Sequence, residues 1–118
     1  LDKCGVDAAN VNTLNGVQDV AVSEMCKFKG ASGCETYITS GTSGTHKTGS
    51  TCTHQNGCKF DFNPNSCNDA WIPNNYSRTG TRSDGAACYQ APSGACYARE
   101  GNHWDMSTTR SCKAQCKT

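Results

Sequence analysis

Three histidines occur in the chain, His46, His54 and His103, and two of them stand beside acids at spacings that suit a hydrolytic metal centre. In His54-Gln55-Asn56-Gly57-Cys58-Lys59-Phe60-Asp61 a histidine precedes a glycine turn and an aspartate follows on the next strand. Imidazole and carboxylate can converge as such a turn folds back. In Glu100-Gly101-Asn102-His103-Trp104-Asp105 an acid ends one strand, a tight turn follows, and a histidine opens the next. Catalytic zinc takes three ligands from His, Asp or Glu and keeps a further position for water. The metal lowers that water's pKa towards about 7, and an acid that is not a ligand takes its proton during attack. The two stretches supply these residue types without surplus.

Such groups must be held by a scaffold, and the pattern of apolar residues predicts one. Val11, Leu14, Val17, Ala21, Met25 and Phe28 recur at steps of three and four, the spacing of one helical face. Asn10 or Asn12 suits the start of this helix, and Lys27, Lys29 and Gly30 suit its end. Glu35–Ser40 reads as a strand, and the Gly-, Ser- and Thr-rich stretch 41–50 reads as a loop that leads into the His54 motif. Cys58–Phe62 reads as a second strand, with Phe60 and Phe62 facing the core and Lys59 and Asp61 sharing the other face. Asn63–Gly85, rich in Asn, Pro, Ser and Gly, reads as a long loop pinned by Trp71 and Ile72 and forming one wall of a cleft. Ala87–Ala91 and Ala95–Glu100 form a hairpin around Pro92-Ser93-Gly94, and a last strand starts at His103. Trp71, Trp104, Tyr89 and Tyr97 are packing residues on this reading. The fold class expected is α+β: an N-terminal helix packed on a small, mainly antiparallel sheet, with long loops and many disulfides.

The segment H-x-x-G-x-x-x-D followed by E-x-x-H-W resembles the zinc D-alanyl-D-alanine peptidases, a group that includes D,D-carboxypeptidases, D,D-dipeptidases and L-alanyl-D-glutamate endolysins. The likeness covers roughly residues 37–61 and 98–105, in the family's order, and Ile38-Thr39-Ser40-Gly41 looks like its strand leading into the site. The resemblance implies His54, Asp61 and His103 as ligands of one zinc ion per chain and Glu100 as catalytic base. It further implies a single catalytic domain spanning 1–118 that hydrolyses peptide bonds of bacterial cell-wall peptidoglycan. The family's Ser-Gly-aromatic-Arg segment departs here, since Ser40-Gly41 is followed by Thr42-Ser43. The substrate-facing arginine must be replaced by His46 or Lys47 in the same loop, or by Arg78, Arg82 or Arg99. Asp105 either orients a ligand imidazole or is an exposed strand residue, and the second is the default.

Composition sets the remaining expectations. Only 35% of the 118 residues are apolar, so the core needs help, and ten cysteines are the obvious source. Their gaps are long and uneven and no C-x-x-C occurs, which argues for disulfides made in an oxidising compartment and against a zinc ribbon. Each cross-link contributes roughly 2–4 kcal/mol, mainly by restricting the unfolded chain. The chain begins at Leu1 and carries no long apolar run, as expected of a secreted, extracellular product whose leader has been removed. A formal charge of +1 with scattered lysines and arginines speaks against nucleic acid or a membrane surface as partner, and most of these cations are expected to be solvated. A monomer acting on peptidoglycan peptides is the resulting expectation. The competing reading is a non-enzymatic cysteine-rich binding or defence module, in which the His/Asp/Glu set is coincidence.

Overall fold

The computed structural model describes residues 4–8, 19–40, 59–82 and 84–108. Among these, the elements in chain order are β1 (Asp7–Ala8), α1 (Asp19–Ser32), β2 (Tyr37–Ser40), β3 (Lys59–Phe62), α2 (Ser66–Asn75), β4 (Ser77–Thr81), β5 (Ala87–Gln90), β6 (Cys96–Arg99) and β7 (Trp104–Ser107). The strands form one sheet in the order β1-β2-β3-β7-β6-β5-β4. The β1–β2 pair is parallel and every other pair is antiparallel. The α+β expectation is met, with the early helix packed on a mainly antiparallel sheet.

Strand alternation sorts the side chains onto two faces. On one face Ile38, Phe60, Phe62, Tyr97, Trp104 and Met106 are buried against Ala21, Met25 and Phe28 of α1 and Ile72 of α2. Phe28 sits at the centre of this layer, with ring centroids 5.4 Å from Phe62, 5.6 Å from Trp71 and 5.7 Å from Tyr97. Burying each such side chain contributes roughly 1.5–3 kcal/mol, so the aromatic layer carries much of the fold. The stripe read from the sequence at Ala21, Met25 and Phe28 is this contact, while its Val11–Val17 portion lies outside the described residues. Lys59, Asp61, Asp105 and Ser107 project from the opposite face, as the alternation of CKFDF requires. That face also carries a small separate apolar cluster of Ala86, Cys88, Cys96 and Ala98.

The stretch 63–85 corrects the expectation of one long loop: it contains α2 and β4. Asn65 caps α2 by accepting from the Asn68 backbone N–H at 2.8 Å, and the Asn68 side chain accepts from the Asn65 N–H at 2.9 Å. This reciprocal pair satisfies two backbone donors that a helix start leaves open. At the other end the Asn74 and Asn75 amides donate to the Ala70 and Trp71 carbonyls, both at 2.8 Å. Polar residues thus hold both ends of a helix whose composition reads as loop. Trp71 and Ile72 do pin it to the body, as expected.

Disulfides Cys4–Cys26 and Cys34–Cys67 tie the N-terminal segment to α1 and the approach to β2 to α2. Cys88 and Cys96 are disulfide-bonded as well, and no cysteine is free among the described residues. The six described cysteines are therefore cross-links, as their spacing suggests. No helix among the described residues is long and apolar enough to cross a membrane.

Candidate functional site

Three adjacent strands and two turns assemble a cluster of charged groups on the sheet face away from the helices. Asp61 of β3 is the register partner of Asp105 of β7, and Asp105 in turn pairs with Ala98 of β6. The β6–β7 turn is closed by the Glu100 N–H donating to the His103 carbonyl at 2.9 Å. A turn this tight places the Glu100 and His103 side chains next to each other. His103 Nε2 contacts Glu100 Oε2 and stands 3.7 Å from Asp61 Oδ2. The structure thus brings together Asp61, Glu100 and His103, three of the four residues the sequence motif singles out. His54, and with it His46 and Lys47, lies outside the described residues.

The two ring nitrogens of His103 have different surroundings. Asn102 Oδ1 lies 2.7 Å from Nδ1, while Nε2 faces two carboxylates, those of Glu100 and Asp61. Two carboxylates that face one nitrogen repel each other. A cation at Nε2, whether a proton or a metal ion, relieves that repulsion.

Around this point lies an ion network that the sequence does not announce. Arg82, just after β4, contacts Glu100 Oε1, Asp84 Oδ2 at 2.7 Å and Asp105 Oδ2 at 3.0 Å. Lys59 reaches the same Asp105 oxygen at 3.0 Å. Burial works to lower the Arg82 pKa, but hydrogen bonding to Asp84 and the charges of Glu100 and Asp105 outweigh it and raise it. The Arg82 hydrogen bond, followed by the Ala86 N–H, holds the Asp84 carboxyl well below the usual carboxylate range. Asp105 is not the exposed strand residue of the default reading: it is 5% exposed, and its contacts are with Arg82 and Lys59 rather than with His103. The expectation of solvated cations fails for Lys59 and Arg82. It fails also for Arg99, which pairs with Asp69 at 2.9 Å and lies 5.9 Å over the Trp104 ring. Arg78 lies over Tyr89 at 5.7 Å and donates to the Gly80 carbonyl, so Arg82 is the arginine beside the acid–histidine cluster.

No family model, no curated protein and no solved structure matches the chain. The likeness to the zinc D,D-peptidases rests on the motif residues themselves.

The donor set can be tested for its fit to a metal. Among the described residues no group of three or more His, Cys, Asp or Glu side chains is arranged to hold one. Asp61 and His103 offer an oxygen and a nitrogen near one point, which suits two of the three ligands a catalytic zinc needs. Charge is also in favour. Asp61, Asp84, Glu100 and Asp105 are four carboxylates gathered around one histidine, and among the described residues Lys59 and Arg82 reach into the group. A divalent cation suits such an acid-rich group. Beside the cluster a cleft of about 300 Å³ is lined by Asp84, Gly85, Ala86, Arg99, Glu100 and Gly101. The last residues of the stretch read as a loop wall, 84 and 85, do line it, and Glu100 links cleft and cluster.

Proposed function

We propose that the chain is a secreted zinc-dependent hydrolase that cleaves peptide bonds in bacterial cell-wall peptidoglycan. The observation that carries the reading is the meeting of Asp61, Glu100 and His103 at one imidazole nitrogen. In this reading Asp61 and His103 are ligands, and His54, outside the described residues, is the third. Zinc, when bound, polarises the scissile carbonyl and lowers the pKa of a water.

The chain's own groups supply the rest. Asn102 Oδ1 against Nδ1 steadies the His103 ring, leaving Nε2 beside Asp61 and Glu100, where it would serve as a metal ligand. Glu100 now abuts Nε2 and must give up that contact when a metal is held there. Its carboxylate is then free to take a proton from the attacking water and pass it to the leaving amine. Arg82 grips the other oxygen of Glu100, keeping it aimed, and is itself anchored by Asp105 and Asp84. Lys59 meets the same Asp105 oxygen as Arg82. The cleft beyond Glu100 is where the leaving side of a peptide would lie. The disulfides support an extracellular setting.

Elemental analysis of protein purified without chelator tests the reading, together with product analysis on defined muropeptides. One zinc per chain and cleavage between amino acids are expected. Protein that carries no zinc and binds none on addition overturns it and leaves the cysteine-rich binding module as the alternative.

A further inference from the structure

A second cavity lies on the helix side of the sheet, away from the acid–histidine cluster. It opens between α1, α2 and the turn of the β5–β6 hairpin and encloses about 540 Å³. That volume falls in the range of small-ligand sites, roughly 300–1,000 Å³. Glu24, Lys27, Trp71, Tyr76, Pro92 and Ser93 are among its lining residues. The proposed zinc chemistry uses none of them.

Glu24 gives the cavity its character. It is only 5% exposed, yet it lines the cavity. Ser93 Oγ donates to Oε1 at 2.6 Å, and the Tyr97 hydroxyl donates to Oε2. Both donors are neutral. Among the described residues Glu24 has no ion pair, and Lys27, three residues on in α1, lines the same cavity without closing a salt bridge to it. The two phenols nearby cannot offset the charge. Burial and the Glu24 charge push the Tyr76 pKa up to about 12, and the same causes hold Tyr97 well above its ordinary value. A carboxylate desolvated this far with neutral donors alone is costly, and a cation brought to it recovers part of that cost.

The walls suit such a cation. Trp71 and Tyr76 are partly exposed and line the cavity, with ring centroids 5.1 Å apart and planes at 83°. A ring face attracts an ammonium by roughly 0.5–2 kcal/mol, more as water is excluded. Pro92 adds apolar surface for an alkyl chain.

We propose that this cavity binds a small organic ammonium ion, with Glu24 as its counter-ion and Trp71 and Tyr76 as its aromatic wall. Ligand selection follows from charge: a neutral molecule of the same shape gains the apolar contact but not the ion pair. Lys27 is the competing cation at the rim. The site stands on its own geometry, so its failure would leave the zinc reading untouched, and the reverse holds as well.

The test titrates the disulfide-intact chain with n-butylammonium chloride and with 1-butanol at constant ionic strength. Binding is followed by fluorescence and by the indole N–H resonance of Trp71, which is distinct from that of the buried Trp104. The ammonium is expected to bind at roughly millimolar concentration, as suits so small a ligand, and at least about tenfold more tightly than the alcohol. Glu24→Gln should abolish that preference. Because Glu24 also anchors Ser93 and Tyr97, a second variant guards against loss of fold. Lys27→Met, at an exposed position, should tighten ammonium binding about threefold and leave the alcohol unchanged. Equal affinities for the two probes, no saturable shift with the ammonium, an unchanged preference in a folded Glu24→Gln, or ammonium binding not tightened in Lys27→Met would each overturn the proposal.

Discussion

Glu100 and Asp61 are both acids beside His103, and the proposed mechanism gives them different work. Glu100→Gln separates the two. In the variant one amide atom faces Arg82 and the other faces His103 Nε2, so neither contact keeps the carboxylate's charge. A charge-assisted contact worth roughly 1.5–3 kcal/mol becomes a neutral one worth roughly 0.5–1.5 kcal/mol. The competitor that must be displaced from Nε2 thus changes by about 1 kcal/mol, which is within about tenfold in zinc affinity. Turnover is another matter, because an amide cannot take a proton from water. Losing a general base costs on the order of 10²–10⁴, or about 2.7–5.4 kcal/mol of barrier. Zinc affinity by competition with a chromophoric chelator and hydrolysis of defined muropeptides are measured side by side with Asp61→Ala. For Asp61→Ala, zinc affinity should fall first and activity with it. If Glu100→Gln loses the metal, or keeps both metal and full activity, the roles are wrongly assigned. Asp105, whose Oδ2 meets both Arg82 and Lys59, would then be the next acid to consider.

Other measurements probe the scaffold. Chelation should abolish hydrolysis while leaving far-ultraviolet circular dichroism intact, because the disulfides and the aromatic layer hold the fold without a metal; unfolding on chelation under oxidising conditions would refute this. Asn65→Ala removes the reciprocal cap of α2 and should cost about 1 kcal/mol in urea denaturation, whereas a change near zero would show that the cap is incidental. The Tyr76 pKa, raised from 10.0 to about 12, means that the unfolded chain gives up this proton first as pH rises. Its contribution to stability is complete below pH 10 and lost between pH 10 and about 12, so the denaturation midpoint should fall across that window. Glu24→Gln should shift the phenolate absorbance titration to lower pH, and no shift would discount the charge effect.

The parts legible in the sequence are those with a clear period. The Ala21–Met25–Phe28 stripe and the alternation of Phe60 and Phe62 with Lys59 and Asp61 come from burial on one side, which leaves a mark every three to four residues or every two. The Glu100–His103 turn is legible because a Gly-Asn pair ties its two ends together locally. α2 leaves no such mark. Its inward positions Asn68, Ile72 and Tyr76 do follow a four-residue step, but an asparagine opens the series and Pro73 stands beside its middle. The paired Asn65 and Asn68 were the available signal. Arg82 is illegible for a different reason: it lies 18 residues from Glu100 and 23 from Asp105, and only the β4–β5–β6–β7 register brings them together.

The Cys34–Cys67 bond has a consequence for how the chain endures proteolysis. Thirty-three positions separate the two cysteines, and the stretch they enclose holds β2, β3 and the whole His54 motif. A protease that cuts one peptide bond anywhere inside that loop releases nothing, since both products remain joined through sulfur. The Cys4–Cys26 bond protects the stretch leading into α1 in the same way. Nicked molecules would run as one band until reduced and as two afterwards. Damage of this kind is thus separated from loss: the strands on either side of a cut stay at high effective concentration and can remain paired in the sheet.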